Sequence, residues 1–434
     1  MNLRSDLFRG ASASLAMRLI SVALGYAVTV ALARMLGPSG YGAYSFLLAL
    51  ITVLGLPAQF GVPVLMVREI GAARVREAWG LMRGLNIWAH RFAIVTSLPI
   101  LGLALAATLL APGMLAPEQR SGVFWGLALI VLLPLVAIRG GVLRGLQKVI
   151  VGQAPEQIVR PLAFLVLLAA PLLWGQTVET PGAAMAANVI ATAVSWLVGA
   201  ALLIGVWPAQ ARAAAPEYAT RRWQGAILSM GLSSSMYLLD SLVGVLLLGM
   251  LASSADVGVY KAASLGAQFA AMGYVAVNTA LAPRIAAAWA RGDHAAVQGA
   301  VTRGARLSIA FCAPVSLAFV LIGEWGIELV IGKGFGAAYT PLLILSAGQL
   351  IIAAFGSATT LLNMTHNERV NTVSFGAGLG VNLLLTLALS PWLGATGAAL
   401  AATASIAART GLHWWFARQR LGMKTGFWAR TPKG

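Results

Sequence analysis

The sequence predicts an all-α integral membrane protein, twelve transmembrane helices in two six-helix bundles related by pseudo-two-fold symmetry. Three observations predict it. Of 434 residues, 59% are hydrophobic and only 10% charged, whereas a soluble domain carries about 25% charged residues. The apolar residues fall in runs of about 20, the helical length that crosses a ~30 Å hydrocarbon core. Lys and Arg gather in short segments on one side of those runs, which sets the direction of insertion.

In chain order, spans are expected over 11–35, 42–66, 87–111, 121–143, 157–175, 182–206, 225–251, 258–282, 306–331, 339–362, 370–390 and 394–417. The lead "MNLRSDLFRGASAS" lacks a short apolar region with a small-residue cleavage site, and reads as the cytoplasmic approach to the first span. The first span ends at the turn "LGPSG", and the second opens on "YGAY" (41–44) and carries Pro57 and Pro63. Prolines recur mid-span at Pro99, Pro134, Pro161, Pro171 and Pro314, and such breaks allow bending. The 48 glycines suit close helix packing. Two amphipathic stretches, "VREIGAARVREAWGLMRG" (67–84) and "RIAAAWARGDHAAVQGAVTRGAR" (284–306), are expected as helices along the membrane surface.

With the N-terminus inside, 24 of the 30 basic residues count to inner segments, Arg139 and Arg160 among them; the outer ends hold Arg34, Arg120 and Lys333. Both termini are therefore expected in the cytoplasm. The +17 net charge is assigned to topology and to contact with anionic membrane lipids. No basic stretch forms a separate soluble module, so nucleic acid is not an expected partner. A shift of 216 residues lays "YGAY" on "VGVY" (257–260), each after a first span and a tight outer turn. The most polar linker, about 208–224, lies at the midpoint. The reading is an N-terminal lobe over 1–216 and a C-terminal lobe over 217–434, parallel repeats with a cavity between them as in transporters.

Four ionisable residues fall inside spans: Arg18, Asp240, Lys261 and Arg409. Each costs about 2.5–3.5 kcal/mol at a helix centre on insertion scales, so each must face the bundle interior or water. Arg18 and Asp240 either pair to lower that cost, or line the cavity, or do both as a gate. Neutral polar residues extend the lining: Tyr26, Gln59, Asn188, Tyr237, Gln268, Asn278, Gln349 and Asn382. Lys261 and Gln268, seven apart, share a helical stripe.

Several chemistries are excluded. "GIELVIGKG" (326–334) has five residues between Gly326 and Gly332 where a P-loop needs four, and Gly334 where Ser or Thr should bind magnesium. The lone Cys312 forms no internal disulfide, and His90, His294, His366 and His413 are too scattered for a metal site. No cofactor is expected. No paired carboxylates are poised for acid–base work, since Glu324 and Glu328 read as a solvated face, and the protein is not expected to be an enzyme.

The stretches "RLISVALGYAVTVALARMLGPSGYGAYSFLLALITVLGLPAQFGVPVLMVRE" (18–69), "RGLQKVIVGQAPEQIVRPL" (144–162), "NTALAPRIAAAWARGD" (278–293) and "GKGFGAAYTPLLILSAGQLIIAAFGSATTLLNMTHNE" (332–368) carry a resemblance. The chain resembles the polysaccharide (O-antigen type) flippase family, within the superfamily that holds multidrug extruders and the lipid II flippase. It departs at "IIAA" (351–354) and at His366. The resemblance implies a V-shaped, alternating-access transporter in a bacterial inner membrane. The implied cargo is an oligosaccharide on polyprenyl pyrophosphate, moved to the outer leaflet for lipopolysaccharide or other surface polysaccharide. Arg18, Lys261 and Arg409 would stabilise the pyrophosphate, Arg through its planar fork. Asp240 would hold Arg18 in one state and release it when pyrophosphate or a proton arrives. Proton or sodium coupling and a polysaccharide polymerase partner are further expectations. Two alternatives stay open: a cation-coupled multidrug exporter of the same fold, disfavoured by three basic groups to one acidic inside the spans, and a membrane enzyme of polysaccharide assembly, disfavoured by short outer loops.

Overall fold

A computed structural model describes the backbone of residues 3–110, 113, 117–175, 177–365 and 367–429; the side chains of 3–16, 18, 117, 118, 229, 233, 234 and 368 lie outside the description. No strand occurs among the described residues. The helices are α1 (Leu3–Leu54), α2 (Leu56–Gln59), α3 (Val62–Val75), α4 (Trp79–Leu110), α5 (Pro117–Gly145), α6 (Val149–Ala154), α7 (Arg160–Ala169), α8 (Pro181–Val206), α9 (Ala209–Ala213), α10 (Thr220–Leu251), α11 (Ser254–Ala290), α12 (His294–Val330), α13 (Tyr339–Phe355), α14 (Ala358–Met364) and α15 (Glu368–Leu421). A π-helical turn, Pro155–Val159, joins α6 to α7.

Among the described residues nine helices are long and apolar enough to cross a membrane, or ten if the bent pair Thr220–Leu232 and Ser235–Leu251 is one span. The twelve separate spans expected from the sequence are not counted. Two shortfalls fall at α1 and α15. At 1.5 Å per residue their 52 and 54 residues would each measure about 80 Å if straight, far beyond one hydrocarbon core. Each is instead two helices joined at a glycine: Gly37 (φ 65°) before Pro38, and Gly394 (φ 52°). Glycine supplies the left-handed backbone and proline starts the next helix.

The two expected surface helices are corrected. Residues 67–84 are the end of α3 and the start of α4, with Glu77 at φ 56° between them. Residues 284–306 likewise divide into the end of α11 and the start of α12. Gly292 (φ 69°) stops α11, and the Asp293 side chain accepts from the Ala296 N–H at 2.8 Å to begin α12. These are ordinary C-terminal and N-cap signals, so the amphipathic pattern turns back as a hairpin. The breaks repeat along the chain: α1 bends at Gly37 and α11 is capped by Ser253, 216 residues on, while the α3–α4 and α11–α12 turns are 215 apart.

By compactness the chain divides into two units, Met1–Leu36 with Ala43–Ser235, and Gly37–Gly42 with Met236–Gly434. The core of the first gathers Leu65, Met66 and Ile70 of α3, Met82 and Leu85 of α4, Ile138 and Val142 of α5, and Trp223 of α10. The polar linker is laid onto this unit. Arg83 donates to the carbonyls of Arg212 and Ala214 (2.8 and 2.7 Å), the Glu217 N–H donates to Gly80 (3.0 Å), and Arg222 pairs with Glu69 (3.0 Å). The core of the second unit joins Leu281 and Ile285 of α11, Val297 and Val301 of α12, Leu361 of α14 and Ala417 of α15. Within it, Gly42 and Gly258, the glycines of the two repeated tetrapeptides, meet backbone to backbone. A Cβ on Gly42 would lie 1.7 Å from the Ser254 carbonyl oxygen, and one on Gly258 would lie 2.1 Å from that of Pro38.

Backbone cannot yield as a flexible side chain does, so Gly258→Val should destabilise by about 1–3 kcal/mol. We expect the melting temperature of the detergent-purified protein to fall by at least ~2 °C. Gly102→Ala, where nothing lies within 4 Å of the added Cβ, should fall much less.

Candidate functional site

Asp240 lies in the apolar stretch of α10, and its carboxylate is the centre of a polar cluster in the second unit. Arg409 Nη1 donates to Asp240 Oδ2 at 2.8 Å, while Asn382 Nδ2 (2.9 Å) and Ser405 Oγ (3.1 Å) donate to Oδ1. Asn382 Nδ2 also reaches the Asp240 main-chain carbonyl at 3.1 Å, and Thr386 donates to Asn382 Oδ1 at 3.2 Å. The Asp240 and Arg409 side chains are only 10% and 15% exposed.

The geometry comes from α15 folding back on itself. Asn382 and Thr386 lie four apart on its first leg; Ser405, Arg409 and His413 lie four apart on its second, so each set shares a face. The break at Gly394 reverses the chain between the legs. Asp256 braces that break: its carboxylate completes a capping box with Ser253 on α11 and accepts from the Ala395 N–H at 3.3 Å. A Cβ on Gly394 would meet Asp256 Oδ1 at 2.4 Å, and Gly378 brings the two legs close, 3.4 Å from its Cβ position to Arg409 Cβ. Phe375 closes the cluster with its face 5.3 Å from the Arg409 guanidinium carbon, its edge contacts being Tyr237 (5.8 Å) and His413 (5.9 Å). His413 Nδ1 meets Thr359 Oγ1 at 3.1 Å.

The remaining sequence-derived residues are dispersed. Asn278 accepts from Thr360 (2.9 Å) and donates to the Tyr274 carbonyl (2.8 Å). Lys261 and Gln349 are half-buried on α11 and α13, Gln268 is exposed on α11, and Lys261 has no ion pair among the described residues. Tyr26 is half-buried on α1, and Gln59 ends α2. The Arg18 side chain and His366 lie outside the described residues.

Two arginines counted above with the inner segments lie within span-length helices instead. The segment Val149–Trp174 passes the test for a span, because the π turn joins α6 to α7 without a break, and this puts Arg160 near its middle. Arg160 donates to Asn188 Oδ1 (3.1 Å), and Asn188 donates to the Tyr44 hydroxyl (2.8 Å). Ser195 Oγ donates to the Pro155 carbonyl at 2.6 Å, meeting a backbone group within the π turn. Arg139, buried in α5, donates to the Trp196 carbonyl and stacks 4.3 Å from the centre of its ring. The cue the sequence offered was position: both fall inside apolar runs. Ser405 and His413 were legible as i±4 neighbours of Arg409.

Chemically, the cluster holds a charge pair in an apolar unit with both carboxylate oxygens occupied. An anion could compete with Asp240 for the guanidinium, and a proton on Asp240 would loosen the pair. Among the described residues no group of three His, Cys, Asp or Glu could hold a metal ion.

Comparison with known proteins places this geometry. No curated protein matches the sequence significantly. Among solved structures, the fold is similar to an inward-facing multidrug resistance MATE family transporter of the MOP superfamily (15% identity, 95% of this chain and 98% of that one, TM-score 0.71). It is also similar to the lipid II flippase MurJ in an inward closed conformation (13%, 93% and 87%, 0.64). A third is a MOP superfamily transporter from Pyrococcus furiosus whose binding pocket has reversed polarity (13%, 95% and 94%, 0.63). At these identities the likeness shows the fold, a multi-pass membrane transporter fold. The family model described as polysaccharide biosynthesis protein matches residues 7–289. With that match covering more than half of its length, the chain belongs to the polysaccharide biosynthesis protein family.

Proposed function

We propose that this protein is a flippase that moves a polyprenyl-pyrophosphate-linked oligosaccharide from the cytoplasmic to the outer leaflet of a bacterial inner membrane, supplying lipopolysaccharide O-antigen or another surface polysaccharide. The observation that carries this reading is the family match over residues 7–289. The fold shared with a lipid II flippase supports it. The protein acts as a carrier rather than a catalyst, by alternating access with a cationic central cavity, both termini in the cytoplasm.

The physics of the cargo suits the residues. A pyrophosphate cannot cross hydrocarbon unaided, and the polar side chains replace water around the sugars. Arg409, Lys261 and Arg18 provide cationic partners, with Tyr26, Gln59, Tyr237, Gln268, Asn278 and Gln349 as neutral contacts. Asp240 is the gate. It neutralises Arg409 while the site is empty, and arriving pyrophosphate, or a proton on Asp240, frees the guanidinium. Coupling to protons or sodium and docking to a polysaccharide polymerase belong to the same proposal.

Depleting the protein in its native cells should make lipid-linked oligosaccharide accumulate in the cytoplasmic leaflet while drug susceptibility stays unchanged. A rise in drug susceptibility without that accumulation would favour the exporter. Asp240→Asn keeps the side chain's shape but removes its charge. It should cut flipping in reconstituted vesicles at least about tenfold, ~1.4 kcal/mol of the barrier, at normal membrane levels, and Asp240→Arg should abolish it. Full activity of Asp240→Asn would remove the gate from the account.

A further inference from the structure

The last ordered stretch of the chain, Gly422–Ala429, forms no helix, yet it is tied down along its length. Gly422 (φ 66°) ends α15, and the Met423 N–H reaches back to the Ala417 carbonyl at 3.3 Å, a common left-handed helix stop. The chain then crosses the ends of α12 and α13 as a strap. Lys424 and Gln298 exchange two hydrogen bonds (2.9 and 2.7 Å), and the Phe427 N–H donates to the Ala354 carbonyl (3.0 Å). Arg306 donates to the carbonyls of Phe427 and Ala429, both at 3.1 Å. Met423, Thr425 and Ala429 face inward and are buried.

The outward face has the opposite character. Phe427 and Trp428 are 44% and 51% exposed. Trp428 packs against the Phe355 ring at 5.2 Å, Phe355 against Trp414 at 6.2 Å, and the Arg418 guanidinium lies 5.8 Å over Trp414. Arg418, Arg420 and Lys424 are exposed beside this strip, and none of them forms an ion pair among the described residues. The strap begins where the span-length helix Arg369–Leu421 ends, which is the depth of the headgroup layer. Amphipathic aromatic rings concentrate at that depth, and each nearby Lys or Arg gains about 1 kcal/mol from an anionic surface.

We propose that the strap is a lipid-reading clasp. Its outward face binds anionic phospholipid headgroups, and bound lipid holds the strap closed across α12 and α13. The aromatic strip enters the interface, the three cations meet the phosphates, and the backbone bonds to Gln298, Ala354 and Arg306 carry the effect into the helices.

The test is amide hydrogen exchange of residues 422–429 in the full chain, in nanodiscs of phosphatidylcholine alone or with one third phosphatidylglycerol. Exchange should be at least about fivefold slower with phosphatidylglycerol, the factor for one engaged charge. The variant Arg418→Gln/Arg420→Gln/Lys424→Gln should lose that difference. If the variant does not reach the membrane, about 0.5 M salt should erase the difference in the wild type, because it shortens screening to a few Å. Equal exchange in both lipids, a difference that survives in the variant or in salt, or protection appearing only when another protein is added would each overturn the proposal.

Discussion

A carboxylate inside an apolar unit must be neutralised, and much of the second unit is arranged around that need. Asp240 takes three donors, Arg409, Asn382 and Ser405, all from α15. Those donors come from two legs of one helix, so the legs have to lie side by side. Gly394 turns the chain, Gly378 lets the legs close up, and Asp256 caps the turn from α11. A buried pair of this kind is weak as a source of stability, but breaking it by removing one partner costs about 3–5 kcal/mol. An interaction that is neutral when whole and costly when broken suits a switch better than a brace.

Glycine has a second use in the same fold. The repeated tetrapeptides "YGAY" and "VGVY" were visible as a four-residue likeness 216 positions apart. In the structure their glycines face one another at backbone contact distance. The repeat is therefore more than a trace of common origin, because each copy leaves the space that the other fills. The recurring helix breaks at the same offset show the regularity at the level of whole elements.

The apolar runs, the turn at "LGPSG" and the need of Asp240 for a cation were all legible in the sequence. The identity of the cation was not. Arg409 stood out as a phosphate ligand, and its pairing with Asp240 depends on how two legs 27 residues apart at Asn382 and Arg409 are brought together, which periodicity does not encode. The supposed surface helices failed for a different reason. A helix lying on a membrane and a hairpin between two helices share one amphipathic pattern until a stop such as Gly292–Asp293 is given its weight. Arg139 and Arg160 were assigned to inner segments because basic residues usually gather there. The π turn at Pro155–Val159 links α6 to α7 and takes Arg160 into the interior.

The account rests on competition between an internal carboxylate and an external anion for one guanidinium. The most direct measurement is the affinity of the purified protein for polyprenyl pyrophosphate, compared between wild type, Asp240→Asn and Arg409→Gln. Competition predicts opposite signs: Asp240→Asn binds several-fold tighter because the guanidinium has lost its internal partner, and Arg409→Gln binds weaker. Two variants that both weaken binding, or that both leave it unchanged, would contradict the account.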